Sequence, residues 1–423
     1  MSSNQSFTSE CDRAPRLNEM AEFFSTTAAG RSGVPLKMPD VDHRLFEGDP
    51  ALAEFIDAHR LLWGNFDPHY FSSIPYRLEE EARLGDAMFR YGMATGRADR
   101  PATFYVLGSA EGTFARTLAQ AGQGCFRTLS CSPNKENEES FYSHGAPAFA
   151  EFFLGPFHHL TNELIRTSDR LRHFGEGFDI ILEDTTFQMY SPNRPAQIEF
   201  VRGHLKDEGI MIFVEKFSHD DANEYSAREL QKDYGYKSRF FTNRTIERKN
   251  AEVLSIMNKN ENTIPEMAEA VDQHFRHAYI TWNSGNFYTI TASNSAENLS
   301  RYICSMVPPA SPTSMYIQER LNRYLIPSFR ICNFVVTGEI PYDLLRLDFV
   351  RFIDGNSDRQ PRPGGLTPHI YWFAERRLRR AGFATRHFGR RRSAPVSPPG
   401  TARHASPTTL VCQRHSSSVG REL

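Results

Sequence analysis

From Thr103 onward the chain alternates short apolar runs with amphipathic stretches. Phe104-Tyr-Val-Leu107 reads as a buried strand ended by Gly108, and Phe114 to Gly122 as a helix with a glycine stop. Phe126–Leu129 predicts a second strand, Phe152–Leu154 a poorer third, and Phe178-Asp-Ile-Ile-Leu182 the clearest of all. Pro195 to Leu205 predicts a helix with Ile198, Val201 and Leu205 on one face. A Lys206-Asp-Glu-Gly209 turn and a fifth strand, Ile210–Val214, follow it. Strands separated by helices of this length build βαβ units and a parallel sheet. His277–Trp282 and Phe287–Thr291 flank Asn283-Ser-Gly-Asn286, the pattern of a hairpin.

The segments before this core read differently. Residues 1–40 are rich in Ser, Thr, Asn and Gly and predict a disordered leader. Residues 41–99 predict a helical cap. Asp49-Pro50 supplies a start signal, and Leu52, Phe55, Ile56 and His59 share one helical face. A second helix from Ile74 to Thr95 buries Leu84, Met88 and Tyr91, and the aromatic loop Trp63–Phe71 joins the two. After the fifth strand a polar helical insertion spans about 220–267. Residues 301–355 form a C-terminal extension without a readable pattern. Residues 356–423, rich in Arg, Pro and Ser and free of Lys, predict a disordered tail.

With 423 residues, 39% apolar and 12% aromatic, the chain is long and apolar enough to bury a core. No run approaches the apolar length of a membrane span, and the first residues lack a basic-then-apolar signal, so a cytoplasmic protein without a membrane partner is expected. The six cysteines (11, 125, 131, 304, 332, 412) have no CxxC spacing and suggest reduced thiols. The net charge of −2 averages two unlike parts: 13 Arg and 3 acidic residues from 356 onward, against 36 basic and 48 acidic residues before it. A body with a balance of −12 argues against nucleic acid as its main partner, because gripping phosphates takes clustered Lys and Arg.

The chemistry-bearing segment is Leu107-Gly-Ser-Ala-Glu-Gly112-Thr. A strand ends in Gly108-x-Ala110-x-Gly112 and turns directly into a helix. Small residues there let backbone approach a ligand, and the helix start offers free N–H groups. The segment resembles motif I of the class I S-adenosylmethionine-dependent methyltransferases. Phe178–Asp184 resembles the family's fourth strand with its acidic end, Ile198–Val214 its next helix, turn and fifth strand, and the hairpin its last two strands. The resemblance covers roughly residues 100–295, within an expected methyltransferase core of 100–300. It implies an α/β fold: a seven-stranded, mostly parallel Rossmann-like sheet with helices on both faces.

It also implies S-adenosylmethionine as cofactor, held by Gly108, Ser109, Ala110, Gly112, Ser130, Ser132 and Glu183. Transfer to a small-molecule acceptor would then involve Asp184, Glu183 and Lys216 as catalytic candidates. Three positions depart from the pattern: Val106 and Ser130 stand where the family has carboxylates, and Leu154-Gly-Pro156 lacks the usual Asp. A dinucleotide site is set aside because the turn lacks GxGxxG spacing and no carboxylate ends the second strand.

Two alternatives stay open. Asp184 with Lys216 is similar to the pair in RNA ribose 2′-O-methyltransferases, although Lys216 directly precedes Phe217, a one-residue shift that turns a side chain to the other face. A partner-binding protein that keeps the fold without catalysis is the other. Trp63–Phe71, Thr186–Tyr190 and Trp282 are candidate walls of an acceptor pocket. His158-His159 and His274–His277 show no carboxylate or cysteine partner at ligand spacing, so no metal site is expected. Nothing in the sequence speaks to oligomeric state.

Overall fold

A computed structural model describes residues 3–46, 49–97 and 99–315. The expected basic tail and all of the C-terminal extension beyond Met315 lie outside the described residues. Five strands run parallel: β1 (Ala102–Leu107), β2 (Phe126–Ser132), β3 (Ala150–Leu154), β4 (Phe178–Asp184) and β5 (Leu205–Lys216). Two more, β6 (His277–Ser284) and β7 (Phe287–Ser293), close one seven-stranded sheet in the order β3-β2-β1-β4-β5-β7-β6. β7 lies antiparallel to both β5 and β6. The chain winds one way from β1 to β3 and the other way from β4, so the crossovers diverge between β1 and β4. In open α/β sheets the carboxyl ends at that switch point form the ligand crevice.

Strand alternation splits the core between two faces. Tyr105, Leu107, Leu129, Ile181, Met211 and Phe213 share one cluster with Ile198 and Val201 and with Met267 and Val271 of the helix Ile264–Asp272. On the opposite face the Phe104 ring lies 5.2 Å from Phe126, and a Cβ on Gly92 would come within 2.6 Å of the Phe126 ring. Among the described residues no helix is long and apolar enough to cross a membrane.

Two expectations are corrected here. The Lys206–Gly209 stretch, read as a turn, lies inside β5. Phe178 N–H donates to the His204 carbonyl at 2.9 Å, which carries the ladder back past the turn residues. The surplus is absorbed by a register shift against β4 between Phe178 and Ile180. The second correction is larger. Residues 3–40 are not a disordered leader: they form α1 (Ser3–Asp12) and α2 (Ala21–Ala28), both packed on the body. Phe7, Cys11 and Ala14 fall at helical spacing and are buried, and the Phe7 ring sits 5.3 Å from Phe200. Asp12 Oδ1 accepts from His158 Nε2 at 2.9 Å and His159 Nε2 at 2.7 Å. The histidines read as partnerless therefore have a carboxylate, supplied from more than 140 residues away. The three side chains' ligating atoms lie within 4.8 Å of one another, at hydrogen-bonding separations.

The cap forms α3 (Pro50–Arg60), α4 (Phe66–Phe71) and α5 (Arg77–Thr95). Asp49 accepts from Ala51 N–H with Pro50 in the first turn, the start its sequence announces. α6 (Thr113–Gly122) follows β1 and packs against α5.

Phe7→Ala should lower unfolding stability by about 3 kcal/mol in urea titration, as for a core phenylalanine; a free leader would show no change. A pH effect follows from His204, which is buried with Nδ1 2.8 Å from Asn162 Oδ1. Burial pushes its imidazole down from 6.5 to about 4. The unfolded chain then binds the extra proton, so this contribution is complete above pH 6.5 and is lost as the pH falls toward about 4. Thermal midpoints should drop over that window, and His204→Asn should flatten part of the drop.

Candidate functional site

At the switch point the carboxyl ends of β1, β2, β4 and β5 open on one cleft. Its floor is Gly108, Ser109 and Ala110 after β1, Cys131 and Ser132 on β2, Asp184 and Thr185 at the end of β4, and Lys216 on β5. Its walls come from three other places: Arg16 and Phe24 of the N-terminal segment, Phe66 to Ile74 of the cap, and Lys232, Lys237, Lys249 and Met257 of the insertion.

The glycine turn is left-handed at three positions, Gly108 (φ +74°), Ala110 (+46°) and Gly112 (+70°). Two of these explain the glycines by internal packing. A Cβ on Gly108 would lie 1.5 Å from Thr186 Oγ1, and one on Gly112 2.8 Å from Ser130 Oγ. Ala110 and Thr185 (φ +51°) hold this conformation without being glycine, and both line the cleft. Local strain of this kind collects at functional sites. Ser109 lines the cleft, and its Oγ is buried without a hydrogen-bond partner among the described residues.

Glu111 fastens the turn to the cap. Its carboxylate accepts from the N–H groups of Asn65 (2.7 Å), Phe66 (3.1 Å) and Asp67 (3.2 Å), the open N-terminus of α4. Asp67 in turn accepts from Thr113 Oγ1 at 2.6 Å at the start of α6.

Each predicted site residue has a definite place. Adjacent Glu183 and Asp184 point differently, as strand alternation requires. Glu183 turns away from the cleft: Oε1 accepts from Thr186 and Phe187 N–H, so it caps the turn after β4. Burial and the charge of Glu215 hold its carboxyl well above the usual range. Asp184 faces the cleft. Its Oδ2 lies 3.0 Å from Arg77 Nη2, and its Oδ1 accepts from Tyr70 OH at 2.5 Å. Arg77 is fully buried and also contacts Glu81 at 2.7 Å. One guanidinium thus serves two carboxylates, and burial pushes Asp184 up, with Arg77 offsetting part of the rise and Glu81 adding to it.

Lys216 lines the floor but is committed: its ammonium meets Glu229 (2.9 Å), Glu261 (2.7 Å), Tyr225 OH (2.9 Å) and Asn258 Oδ1 (3.2 Å). Ser130 lies behind Gly112 and is not part of the lining. Ser132 Oγ lines the cleft and accepts from Asn137 Nδ2 at 2.7 Å. Trp282 is buried with Ile74 and Phe287 rather than in the cleft, whereas Thr186, Gln188, Met189 and Tyr190 do line it.

Sequence reasoning missed several lining groups. Arg16 sits in the segment read as disordered. It donates to Asn134 Oδ1 at 2.5 Å and lies 4.0 Å over the Phe24 ring. Tyr70 and His69 were visible only as members of an aromatic loop. The insertion lysines looked like a polar helix surface. The available signal was the i, i+5 spacing of Lys232 and Lys237, within and just after a π-helical segment (Gln231–Tyr236).

No family model matches this sequence, and no curated protein matches it. Among solved structures the chain is similar to the plantazolicin methyltransferase BpumL in complex with a triazolic desmethylPZN analog and SAH: 11% identity, 58% of this chain and 98% of that one, TM-score 0.36. It is similar also to an O-methyltransferase family protein from Burkholderia thailandensis, at 16% identity over 69% of this chain and 70% of that one, TM-score 0.32. A third is the O-methyltransferase from Bacillus cereus in complex with SAH, at 13% identity over 60% and 96%, TM-score 0.34.

Arg77→Met should cost about 3–5 kcal/mol in chemical denaturation, since it leaves Asp184 and Glu81 buried without their cation. An exposed control, Lys259→Met, should leave the midpoint unchanged.

Proposed function

We propose that this protein transfers a methyl group from S-adenosylmethionine to a small-molecule acceptor. The observation that carries the reading is the left-handed Gly108–Gly112 turn opening at the switch point of a β3-β2-β1-β4-β5-β7-β6 sheet. The unpartnered Ser109 hydroxyl in that turn is a polar group awaiting a ligand, which fits the polar end of such a cofactor. When bound, the cofactor supplies a methyl group on positively charged sulfur, already activated for in-line displacement.

The chain's own residues then have separable tasks. The Gly108–Gly112 turn with Ser109 would hold the cofactor on the β1 side, and Arg16 with Ser132 on the β2 side. Missing carboxylates at Val106 and Ser130 shift that work to hydroxyls, backbone and a guanidinium. Phe24, Phe66 and Met257 exclude water, which strengthens every polar contact inside. Asp184 is the group placed to take a proton from an acceptor hydroxyl. Burial raises its affinity for a proton, with Arg77 offsetting part of the rise, and Arg77 and Tyr70 fix its two oxygens. Glu183 supports the floor by capping the turn after β4, and Lys216 by its ion pairs with Glu229 and Glu261.

Calorimetric titration of the full chain with S-adenosylmethionine and S-adenosylhomocysteine tests this. Dissociation constants of about micromolar are expected. Ala110→Asp should weaken both by about tenfold or more while the protein stays folded, because Asp tolerates a left-handed backbone and its carboxylate narrows the turn. A folded protein that binds neither compound overturns the proposal.

A further inference from the structure

The insertion brings three lysines, Lys232, Lys237 and Lys249, to the cleft that Lys216 enters from the end of β5. Among the described residues the carboxylates paired with them number three. Glu229 and Glu261 hold Lys216, Glu229 and Asp233 hold Lys232, and Asp233 holds Lys237 at 2.8 Å. Lys249 has no carboxylate among the described residues. Its Nζ lies 2.6 Å from His69 Nε2 and donates to Ser73 Oγ at 3.0 Å.

The histidine's tautomer is fixed by what lies behind it. His69 Nδ1 is 2.7 Å from the Gly33 carbonyl, which can only accept, so Nδ1 carries the proton and Nε2 accepts from Lys249. Ser73 Oγ donates to the His69 carbonyl at 2.7 Å and likewise accepts from Lys249. Gly33 is required there: its φ is +66°, and a Cβ would lie 2.4 Å from the His69 ring. Two neutral acceptors therefore take two of the three ammonium donors; the third has no hydrogen-bond acceptor among the described residues, and the ammonium lies 5.6 Å from the centre of the Phe23 ring.

A cation placed this way is costly. Burial, Lys237 and Lys232 hold the Lys249 ammonium well below its ordinary value, with Asp233 offsetting only part of the drop, and Lys232 is itself pulled down to about 7 by burial, Lys216 and Lys237 against the pull of Glu229 and Asp233. The other acids lining the cleft lie on the cap side and are engaged there: Asp184 and Glu81 with Arg77, and Asp67 with Thr113 Oγ1 and Gly64 N–H. An anion entering the cleft would supply the missing charge and take the free donor.

We propose that the acceptor carries an oxyanion, a carboxylate or a phosphate, that seats on Lys249 beside Ser73 in the cleft lined by Lys232 and Lys237. The proposal rests on the methyltransferase reading for the word acceptor, but the anion subsite is tested separately. Ligand-observed NMR on the full chain, with and without saturating S-adenosylhomocysteine, would measure binding of benzoate and of inorganic phosphate. Saturating S-adenosylhomocysteine keeps the probes out of the cofactor end.

The wild type should bind one of the two probes, and which one it binds assigns carboxylate or phosphate. Lys249→Gln should weaken that binding by about tenfold or more, the worth of a hydrogen bond to a charged group. Lys249→Arg, which keeps the charge, and Lys259→Gln, on the exposed surface, should stay within about threefold of the wild type. S-adenosylhomocysteine affinity should be unchanged in Lys249→Gln, which also reports that the variant is folded. Failure of the folded wild type to bind either anion, or equal binding by Lys249→Gln, overturns the subsite. Failure of the wild type to bind S-adenosylhomocysteine overturns the methyltransferase reading instead, while the anion titrations alone still decide the subsite.

Discussion

A fully buried guanidinium orders the cleft. Arg77 starts α5, well before the sheet in sequence, yet its charge is neutralised at the far end of β4 by Asp184 and within its own helix by Glu81. Taking one cation and two carboxylates out of water is tolerable only if their hydrogen bonds are completed. At Asp184 the surroundings do that, since Tyr70 donates to it and accepts from Arg77 Nε at 3.2 Å; at Glu81 the charge is met by close ion pairing, with Arg77 Nη1 at 2.7 Å and His59 at 3.4 Å. The cap cannot slide over the sheet without breaking this set. The position of α4 and its aromatic side chains above the carboxyl ends follows from it.

The sheet was legible because its signal is local. Apolar runs such as Phe104–Leu107 and Phe178–Leu182 are buried on both faces and need no knowledge of their neighbours to be read as parallel strands. The glycine turn was legible for a related reason, since only small residues fit its left-handed backbone. The N-terminal helices were not. Their composition is polar, and the apolar positions Phe7, Cys11 and Ala14 are too few to stand out from Ser, Thr and Asn. What orders them is contact with residues far along the chain, Phe157, Phe200 and the His158–His159 pair.

The site itself was legible only in part. Residues on the strand ends could be listed from the motifs, but which of them faces the cleft depends on pleat and register. Glu183 and Asp184 show the point: one residue apart, one caps a turn and the other meets the cap's arginine. The basic wall was hidden for a different reason. Averaged over residues 1–355 the chain is acidic, and acidity argues against anionic ligands. The four lysines are gathered from 34 positions of sequence between Lys216 and Lys249, and their charge is local, enclosed and only partly cancelled. Net charge describes the solvent-facing surface far better than the interior of a cleft.

The Glu111 clasp has a mechanical consequence. A single carboxylate joins the turn after β1 to the N-cap and the first two N–H groups of the helix that carries His69 and Tyr70. The floor at one end of the cleft and the wall at the other are thus parts of one lever. A displacement of the turn by even a fraction of an ångström is handed to the aromatic helix, so the two halves of the cleft stiffen or loosen together and cannot adjust one at a time.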